Sequence, residues 1–318
     1  MNSLVSVLMP MKNAEEYVGE SIISILEQTH SNLELIIVND CSDDNSEGIV
    51  NKIHDSRIKI IQGSGHGISQ ALNLAVANAS GEYLCRCDAD DTYPKGRVET
   101  QSTWLDNHDE YVAISGGFSC VDSIGSFVST FNTGNVECDI TKELLMGITR
   151  THLGTFMIKK TAMDTVGGFR DYFVTAEDID MQLRLAECGP TWYTPNNMYF
   201  YRLHEGSITH TQSTVKRVYY ESFARECLNQ RIISGLDQLQ KGVQPEPPAS
   251  ADQPRETEEQ ILNYMLAESW QMYFKNKKKL AVIVAFKMCR RQPMRLSTWR
   301  NLFVVIIKSS WKLFRGKA

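Results

Sequence analysis

Short apolar segments alternate with helical segments along the first part of the chain, and each apolar segment ends in polar residues. The clearest apolar segments are residues 5–9, residues 33–38 and the segment that begins at Tyr83. This alternation predicts a parallel, doubly wound sheet. Ligands of such sheets bind at the carboxyl ends of the strands. We therefore expect Asp40 and the acidic residues after Cys87 to meet at one edge of the sheet.

The most acidic strand end carries three carboxylates within four positions, at Asp88, Asp90 and Asp91. Two unit charges a few ångströms apart repel each other by about 1–4 kcal/mol at water-like to surface-like dielectric. Such a group is stable beside a bound cation or in a solvated turn. These residues alone leave both interpretations open.

A second acidic cluster begins a predicted helix over residues 176–186, where Glu177, Asp178 and Asp180 fall close together. Acidic side chains in the first turn of a helix interact favourably with its dipole. Simple helix capping is therefore the alternative to a functional role for this cluster.

The remaining patterns predict further helices and strands. Asn13 is predicted as an N-cap, with Glu16 completing a capping box before a helix whose apolar face begins at Val18. The first strand is expected to end at Pro10. Further helices are predicted at 46–54, 68–78, 97–105, 160–166, 214–240 and 258–274, strands at 58–61, 155–158 and 198–203, and short antiparallel strands within 112–131.

Composition places the chain among globular proteins of a reducing compartment. It has 318 residues, of which 42% are hydrophobic, enough for a sizeable core. Its eight cysteines form no Cys-x-x-Cys pair, and no secretion signal opens the sequence, which predicts a cytosolic protein. Residues 63–67, Gly-Ser-Gly-His-Gly, match neither a dinucleotide fingerprint nor a Walker loop, and a flexible turn near the ligand is predicted there.

The C-terminal part of the chain is strongly basic. From Lys275 onward there are thirteen Lys and Arg and no Asp or Glu, although the formal net charge of the chain is −5. Such a tail predicts binding to an anionic surface, and a solvated basic face or interaction arm is the alternative. The apolar runs 280–286 and 302–307 are far shorter than the roughly 20 residues that span a bilayer, so the tail is expected to lie on a membrane without crossing it.

Several separated segments together resemble the inverting, nucleotide-sugar-dependent glycosyltransferases of family two, which have the GT-A fold. The resemblance covers about two thirds of the chain, from residue 3 to residue 209. It implies an α/β fold with a Rossmann-like, mixed and mainly parallel sheet flanked by helices, followed by a basic helical C-terminal extension. The matching segments are Val5-Ser-Val-Leu-Met-Pro-Met-Lys-Asn13, Val38-Asn-Asp-Cys-Ser-Asp-Asp44, Gly81-Glu-Tyr-Leu84 with Asp88-Ala-Asp-Asp91, and Gly167-Gly-Phe169 with Ala176-Glu-Asp178 and Tyr201-Arg-Leu-His204.

The resemblance also implies roles for individual residues on the donor side. Asp40 matches the acid that accepts a hydrogen bond from the uracil imide of a UDP-sugar, and Pro10 and Asn13 match the wall of the nucleotide pocket. Asp88-Ala89-Asp90 matches the DXD motif, in which the first Asp reaches the ribose or the metal shell and the second coordinates Mn²⁺ or Mg²⁺ on the diphosphate.

On the acceptor side, Asp178 matches the catalytic base. Glu177 is expected to orient the acceptor or a loop, and Asp91 to support the site. His204 lies where several family members supply a further metal ligand, and a structural role is its alternative. The sequence departs from the family at Cys41, where glycine is usual, and at Lys12, where an aromatic residue is usual.

Taken together, the sequence predicts a glycosyltransferase that uses a UDP-sugar and a divalent cation to build surface polysaccharide or lipopolysaccharide. Its acceptor is expected to be a glycan or a lipid-linked sugar, and its location the cytoplasmic face of the inner membrane. The predicted parts are a GT-A domain at 1–240, a proline-rich linker at 241–258 and a basic helical region at 259–318. The alternatives are a catalytically silent nucleotide-binding module in an assembly complex and a nucleic-acid binder. The nucleic-acid-binding alternative lacks any recognisable motif for base recognition, so no nucleic-acid partner is expected.

Overall fold

A mixed β-sheet forms the centre of the protein. The computed structural model describes residues 3–132, 136–207, 214–249 and 257–315. The strands are β1 Val5–Met11, β2 Leu33–Asn39, β3 Ile58–Gln62, β4 Tyr83–Arg86, β5 Ala113–Asp122, β6 Phe127–Phe131, β7 Cys138–Asp139, β8 Met157–Lys159 and β9 Thr191–Leu203. The helices are α1 Val18–Leu26, α2 Ser46–Val50, α3 Ile68–Ala77, α4 Arg97–Asp106, α5 Thr141–Leu145, α6 Lys160–Val166, α7 Glu177–Cys188, α8 Thr214–Ser234, α9 Thr257–Phe274, α10 Lys278–Arg291 and α11 Leu296–Arg315.

The strand order confirms the predicted parallel, doubly wound part of the sheet. The order is β3-β2-β1-β4-β8-β5-β9-β7, with β6 paired to β5 outside this path. Strand β1 is parallel to both neighbours, with Val5 opposite Leu33 of β2 and Tyr83 of β4. The loops after β1, β2 and β4 therefore leave the sheet at the same edge, as expected for Asp40 and the acidic turn. From β4 onward the pairing becomes antiparallel, through β8.

Helices cover both faces of this sheet. On one face, Val18, Ile22 and Ile25 of α1 are fully buried against β1 and β2, and α4 packs into the same cluster. On the other face, α3, α6 and α7 pack against the opposite side chains of the same strands, with Leu72 and Met181 fully buried. Burial on both faces explains why β1 and β2 are nearly continuous apolar runs.

Two predictions near the start of the chain are wrong. Strand β1 continues through Pro10 to Met11. Residues of a strand alternate in the direction of their hydrogen bonds, and Leu8 accepts from Cys87 on the β4 side. Pro10 faces the same side, where β4 has already ended, so its missing N–H costs no ladder bond. Asn13 is not an N-cap, because α1 begins at Val18 without a side-chain cap.

Other boundaries differ by a few residues. Helix α2 ends at Val50 rather than near residue 54, and α8 ends at Ser234 rather than near residue 240. Strand β9 begins at Thr191, earlier than predicted. Of the linker predicted at 241–258, residues 250–256 lie outside the described residues.

The chain divides into two compact units. Unit 1 comprises residues 1–118, 131–202 and 212–253, and unit 2 comprises residues 119–130, 203–211 and 254–318. Within unit 2, helices α9, α10 and α11 pack together, and Ala285 and Cys289 of α10 form a buried apolar cluster with Leu302 of α11. Arg291 of α10 also pairs with Asp122 at 2.6 Å. Unit 2 thus includes the turn between β5 and β6, which the domain prediction had placed in the first domain. No helix in the described part of the chain is long and apolar enough to span a membrane.

Candidate active site

The loops after β1, β2 and β3 are tied together through Asp40. Its N–H donates to the carbonyl of Met11 at 2.8 Å. Its buried carboxylate accepts from the N–H groups of Gly65 at 2.7 Å and Gly67 at 3.0 Å. Asp40 therefore anchors the 63–67 loop, a role that sequence reasoning missed. Each carboxylate oxygen keeps a lone pair for a further donor, so uracil binding by Asp40 stays a compatible prediction.

Asn13 belongs to the same group of loops. Its Oδ1 accepts from the N–H of Asp43 at 2.9 Å, and its own N–H donates to Ser42 Oγ at 3.1 Å. Its φ of 51° lies in the left-handed region, which Asn tolerates better than most residues. Asn13 and half-buried Pro10 lie at the predicted edge of the sheet, and their contact with a nucleotide stays a prediction.

Arg86, the last residue of β4, joins the two acidic clusters of the sequence. Its Nε and Nη2 donate to the two oxygens of Asp88 at 2.7 and 2.9 Å, and its Nη1 donates to Glu177 Oε1 at 2.9 Å. The Arg86 side chain is only 7% exposed. A buried guanidinium bound to two carboxylates offsets their mutual repulsion. Arg86 thus holds the acidic turn after β4 and the start of α7 together.

Asp178 lies in the first turn of α7. Its Oδ1 accepts from the N–H of Ile179 at 2.9 Å, and its side chain is 22% exposed. Burial raises the pKa of Asp178, while the charge of Arg86 opposes that shift. Ala176, just before the helix, has a left-handed φ of 61°, a strained conformation typical of functional sites. The left-handed turn at Ala176 fixes where α7 begins, and thereby the positions of Glu177 and Asp178 in its first turn.

The other acids of the turn have distinct environments. Asp91 is 1% exposed, and its Oδ1 accepts from the N–H of Arg202 at 2.7 Å. Burial, together with the charges of Asp90 and Asp88, raises the pKa of Asp91 well above its ordinary value. Arg202 Nε also donates to the backbone carbonyl of Asp90 at 2.7 Å. Asp91 therefore supports the turn from inside, and Asp90 carries a half-buried carboxylate at its surface.

His152 also faces this site, although the sequence analysis did not select it. Its Nε2 lies 4.0 Å from Asp178 Oδ2, and its Nδ1 accepts from the N–H of Gly154 at 3.1 Å. The ring packs beside Tyr199 and Tyr201, with centroids 5.6 and 5.5 Å away. The sequence around His152 forms no motif that would have marked it. Arg86 did leave a signal, since a charged residue in a buried apolar strand requires partners.

The donor set fits a divalent cation bound by one protein carboxylate. Arg86 occupies one lone pair on each oxygen of Asp88, Asp91 is buried inside the turn, and half-buried Asp90 lies at its surface, so Asp90 is the residue that would hold the cation. Mg²⁺ is commonly held by one or two carboxylates together with substrate phosphates and waters. Among the described residues, no group of three or more His, Cys, Asp or Glu could hold a metal by itself. The cation would thus be held by Asp90 and the phosphates of a ligand.

Two acidic clusters thus meet at the carboxyl edge of the parallel strands, where the buried Arg86 joins them. The model of the family described as "Glycosyl transferase family 2" matches residues 6–177, more than half of the chain. The chain belongs to glycosyl transferase family 2. The matched region includes the ends of β1, β2 and β4 and stops at Glu177, the first residue of α7.

Relatives and solved structures of similar sequence or fold support this family 2 assignment. EpsE of Bacillus subtilis is 32% identical over 209 residues, which is 64% of this chain and 73% of EpsE. WfgD of Escherichia coli, named a UDP-Glc:α-D-GlcNAc-diphosphoundecaprenol β-1,3-glucosyltransferase, is 34% identical over 146 residues, 43% of this chain and 57% of WfgD. Staphylococcus aureus TarS, crystallised with UDP-GlcNAc, superposes with a TM-score of 0.62 at 17% identity over 90% of this chain and 81% of that one. The likeness to TarS shows that this glycosyltransferase has the GT-A fold.

The predicted residues of this glycosyltransferase fall into three places. Asp40 and Asn13 lie in the loops after β1 and β2, and Asp88 and Glu177 meet through Arg86. His204 follows β9 in unit 2 and is half-buried, and its role as a metal ligand stays a prediction.

Proposed function

We propose that this glycosyltransferase moves a sugar from a UDP-sugar to a hydroxyl of a glycan or lipid-linked acceptor, with inversion at the anomeric carbon. The observation that carries the proposal is Asp178, a carboxylate of raised pKa beside the acidic turn that the DXD resemblance assigns to the donor. A carboxyl group whose pKa is raised by burial is suited to take a proton near neutral pH. WfgD is named for a UDP-sugar donor, and TarS was crystallised with one, which supports the same donor class here.

In the proposed reaction, the acceptor hydroxyl gives its proton to Asp178 as its oxygen attacks the anomeric carbon. The bond between that carbon and the diphosphate breaks on the opposite side, and its electron pair leaves with UDP. A single displacement of this kind inverts the anomeric centre, so a UDP-α-sugar gives a β-glycoside.

The chain's own residues arrange the donor side of this reaction. Arg86 fixes Asp88 and Glu177 relative to each other, and Asp40 shapes the 63–67 loop that borders the proposed nucleotide pocket. Asp90 would hold a Mn²⁺ or Mg²⁺ ion, which neutralises charge on the departing diphosphate when bound. Asp91 stabilises the turn that presents Asp90.

We further propose that unit 2 holds the enzyme on the cytoplasmic face of the inner membrane, where lipid-linked acceptors of surface polysaccharides are found. Helix α11 carries an exposed apolar stripe, the α11 stripe, flanked by exposed basic residues such as Arg300. Its members are 38% to 84% exposed: Leu296, Trp299, Phe303 and Ile307. An apolar face with basic flanks matches the surface of an anionic lipid leaflet.

The test of the catalytic proposal is UDP release from a panel of UDP- and GDP-sugars, by the wild-type protein and by Asp178→Asn, with Mn²⁺ or with EDTA. We expect metal-dependent release with a UDP-sugar, lowered by at least about 100-fold in Asp178→Asn, while UDP binding measured by calorimetry is unchanged. Release that survives Asp178→Asn would show that another group is the base. If the wild-type protein binds UDP but turns over no donor, the silent module becomes the better description.

A further inference from the structure

His152 and Asp178 face each other at a distance that one hydroxyl group beside them can bridge. The two facing atoms, Nε2 and Oδ2, are 4.0 Å apart, which is too far for a direct hydrogen bond. An oxygen atom placed beside this gap can lie within 2.6–3.2 Å, the usual hydrogen-bond range, of both atoms. Both side chains are 22% exposed, so neither is sealed from solvent.

The hydrogen bond to Gly154 fixes which nitrogen of His152 carries the proton. Because Nδ1 accepts from the Gly154 N–H, the proton of the neutral ring must be on Nε2, the atom that faces Asp178. Gly154 permits this contact, since a Cβ there would lie 2.7 Å from His152 Nδ1 and 2.8 Å from the Tyr199 ring. The His152 backbone is also fixed, because Thr155 Oγ1 donates to its carbonyl at 2.8 Å.

The surroundings of the ring keep it neutral. Burial lowers the pKa of His152 to about 4, and the charges of Arg86 and Arg97 act in the same direction. The negative groups Asp88 and Glu177 oppose that shift without reversing it. At neutral pH, His152 therefore presents an N–H donor toward Asp178 and no positive charge.

We propose that His152 is a catalytic residue whose Nε2–H donates a hydrogen bond to the attacking hydroxyl of the acceptor. This inference rests on the proposed function, because it requires Asp178 to be the base. The hydroxyl donates its proton to Asp178 Oδ2, accepts from His152, and keeps its second lone pair for attack on the anomeric carbon. Two fixed partners thereby orient that lone pair, and the proton still passes to Asp178 as the new C–O bond forms.

Two substitutions test the roles of the two ring nitrogens of His152 separately. In His152→Asn, the amide oxygen can replace Nδ1 as the acceptor for Gly154, but no donor reaches the ε position. In His152→Gln, the longer side chain places an N–H donor near the ε position and loses the acceptor at δ. A purely structural role predicts that Asn is the better replacement, and the proposed role predicts that Gln is.

The experiment measures UDP release with water as the attacking group, using the UDP-sugar that the wild-type enzyme accepts. We expect His152→Asn to lower kcat about 100-fold with little change in the KM for the donor, and His152→Gln to stay within about 10-fold of wild type. Circular dichroism and UDP binding should match the wild type in both variants.

The outcomes distinguish this inference from the function on which it rests. If Asp178→Asn abolishes release while His152→Asn leaves kcat unchanged, or His152→Gln is the more damaging change, the role of His152 is wrong and the glycosyl transfer stands. If the wild-type enzyme releases no UDP from any donor, the proposed function and this inference both fail.

Discussion

At the residue scale, the positive charge of Arg86 allows several carboxylates to lie close together. Its guanidinium binds half-buried Asp88 and buried Glu177, and its charge opposes the rise that burial causes in the pKa of Asp178. Without a cation, burying these carboxylates side by side would favour their protonation. Arg86 therefore holds the pKa of Asp178, the proposed base, below the value that burial alone would give it.

A pH profile tests this adjustment. Asp178 must be ionised to take a proton, so kcat is expected to be full above its pKa and to fall as the pH is lowered through it. In Arg86→Gln the opposing cation is lost, and the acidic limb should move to higher pH by about one unit or more. Arg86→Lys, which keeps the charge, is the matched control and should move the limb less. A limb that stays at the same pH in Arg86→Gln would contradict the role of Arg86.

A second residue-scale prediction concerns Cys41, which replaces the glycine usual in this family. Cys41 has a φ of 60°, and the left-handed conformation costs a side-chain-bearing residue about 1–2 kcal/mol. Cys41→Gly removes this strain but adds about 0.5–1 kcal/mol of chain entropy on unfolding. We expect a net gain in the free energy of unfolding of about 0.5–1 kcal/mol, measured by urea denaturation.

Cys41→Ala is the matched control, because alanine keeps a Cβ and therefore the strain. A gain of equal size in Cys41→Ala would attribute the effect to the lost thiol, whose Sγ lies 3.8 Å from the carbonyl of Gly63, and not to the backbone.

At the element scale, a buried set of ion pairs holds α7 to α8 within unit 1. Arg170 pairs with Asp180 of α7 and, at 2.7 Å, with Asp237 after α8, and Arg231 of α8 pairs with Asp237 as well. Arg184 binds Asp180 at 2.8 Å. Asp180 therefore has a structural role, although it stands two residues from the proposed base. This network fixes the helix whose first turn carries Asp178.

Removing one acid of this network should cost stability. Asp237 is fully buried, and Asp237→Asn removes one of the two carboxylates that each of Arg170 and Arg231 binds. We expect the free energy of unfolding in urea to fall by about 3 kcal/mol. Asp164→Asn, which breaks the exposed pair with Lys160, should change it by less than about 1 kcal/mol. Equal effects of the two substitutions would contradict a stabilising network.

At the scale of the whole molecule, the charge of the chain is divided between a catalytic part and a basic C-terminal part. The helices of unit 2 bury one face among themselves and leave the α11 stripe exposed. Exposed apolar stripes of this kind are typical of surfaces that bind a membrane or a partner. The basic flanks favour an anionic membrane.

Vesicle sedimentation tests that assignment. The intact protein should bind phosphatidylglycerol-containing vesicles and release them as salt rises, without comparable binding to neutral vesicles or duplex DNA. Replacing Trp299 and Phe303 together by Ser should weaken binding at least about 10-fold, because two large apolar side chains lose their burial. Ile233→Ser is the control, since Ile233 of α8 is 85% exposed outside the stripe. Binding to DNA in preference to vesicles would overturn the membrane proposal.

The sequence by itself determined the alternation of strands and helices, the family and the position of the two acidic clusters. It could do so because these depend on local periodicity and on residues close together in the chain, such as Asp88 to Asp91 or Glu177 and Asp178. The wrong prediction at Asn13 also came from a local rule, the capping box. The Asn13 side chain instead bonds to Asp43 in a distant loop, and a rule based on neighbouring residues cannot describe that contact.

Only the tertiary structure decided how the acids are partnered. Arg86 is 91 positions from Glu177, and Asp40 is 25 positions from the amide of Gly65 that it binds. His152 faces Asp178 because α7 and the segment before β8 meet at the same edge of the sheet. Such pairings arise when distant segments pack, and burial then shifts the pKa of each group, as it does for Asp91, Asp178 and His152. The sequence therefore supplies the residue types of the site, and the packing of the sheet and helices determines the partners and the environment of each one.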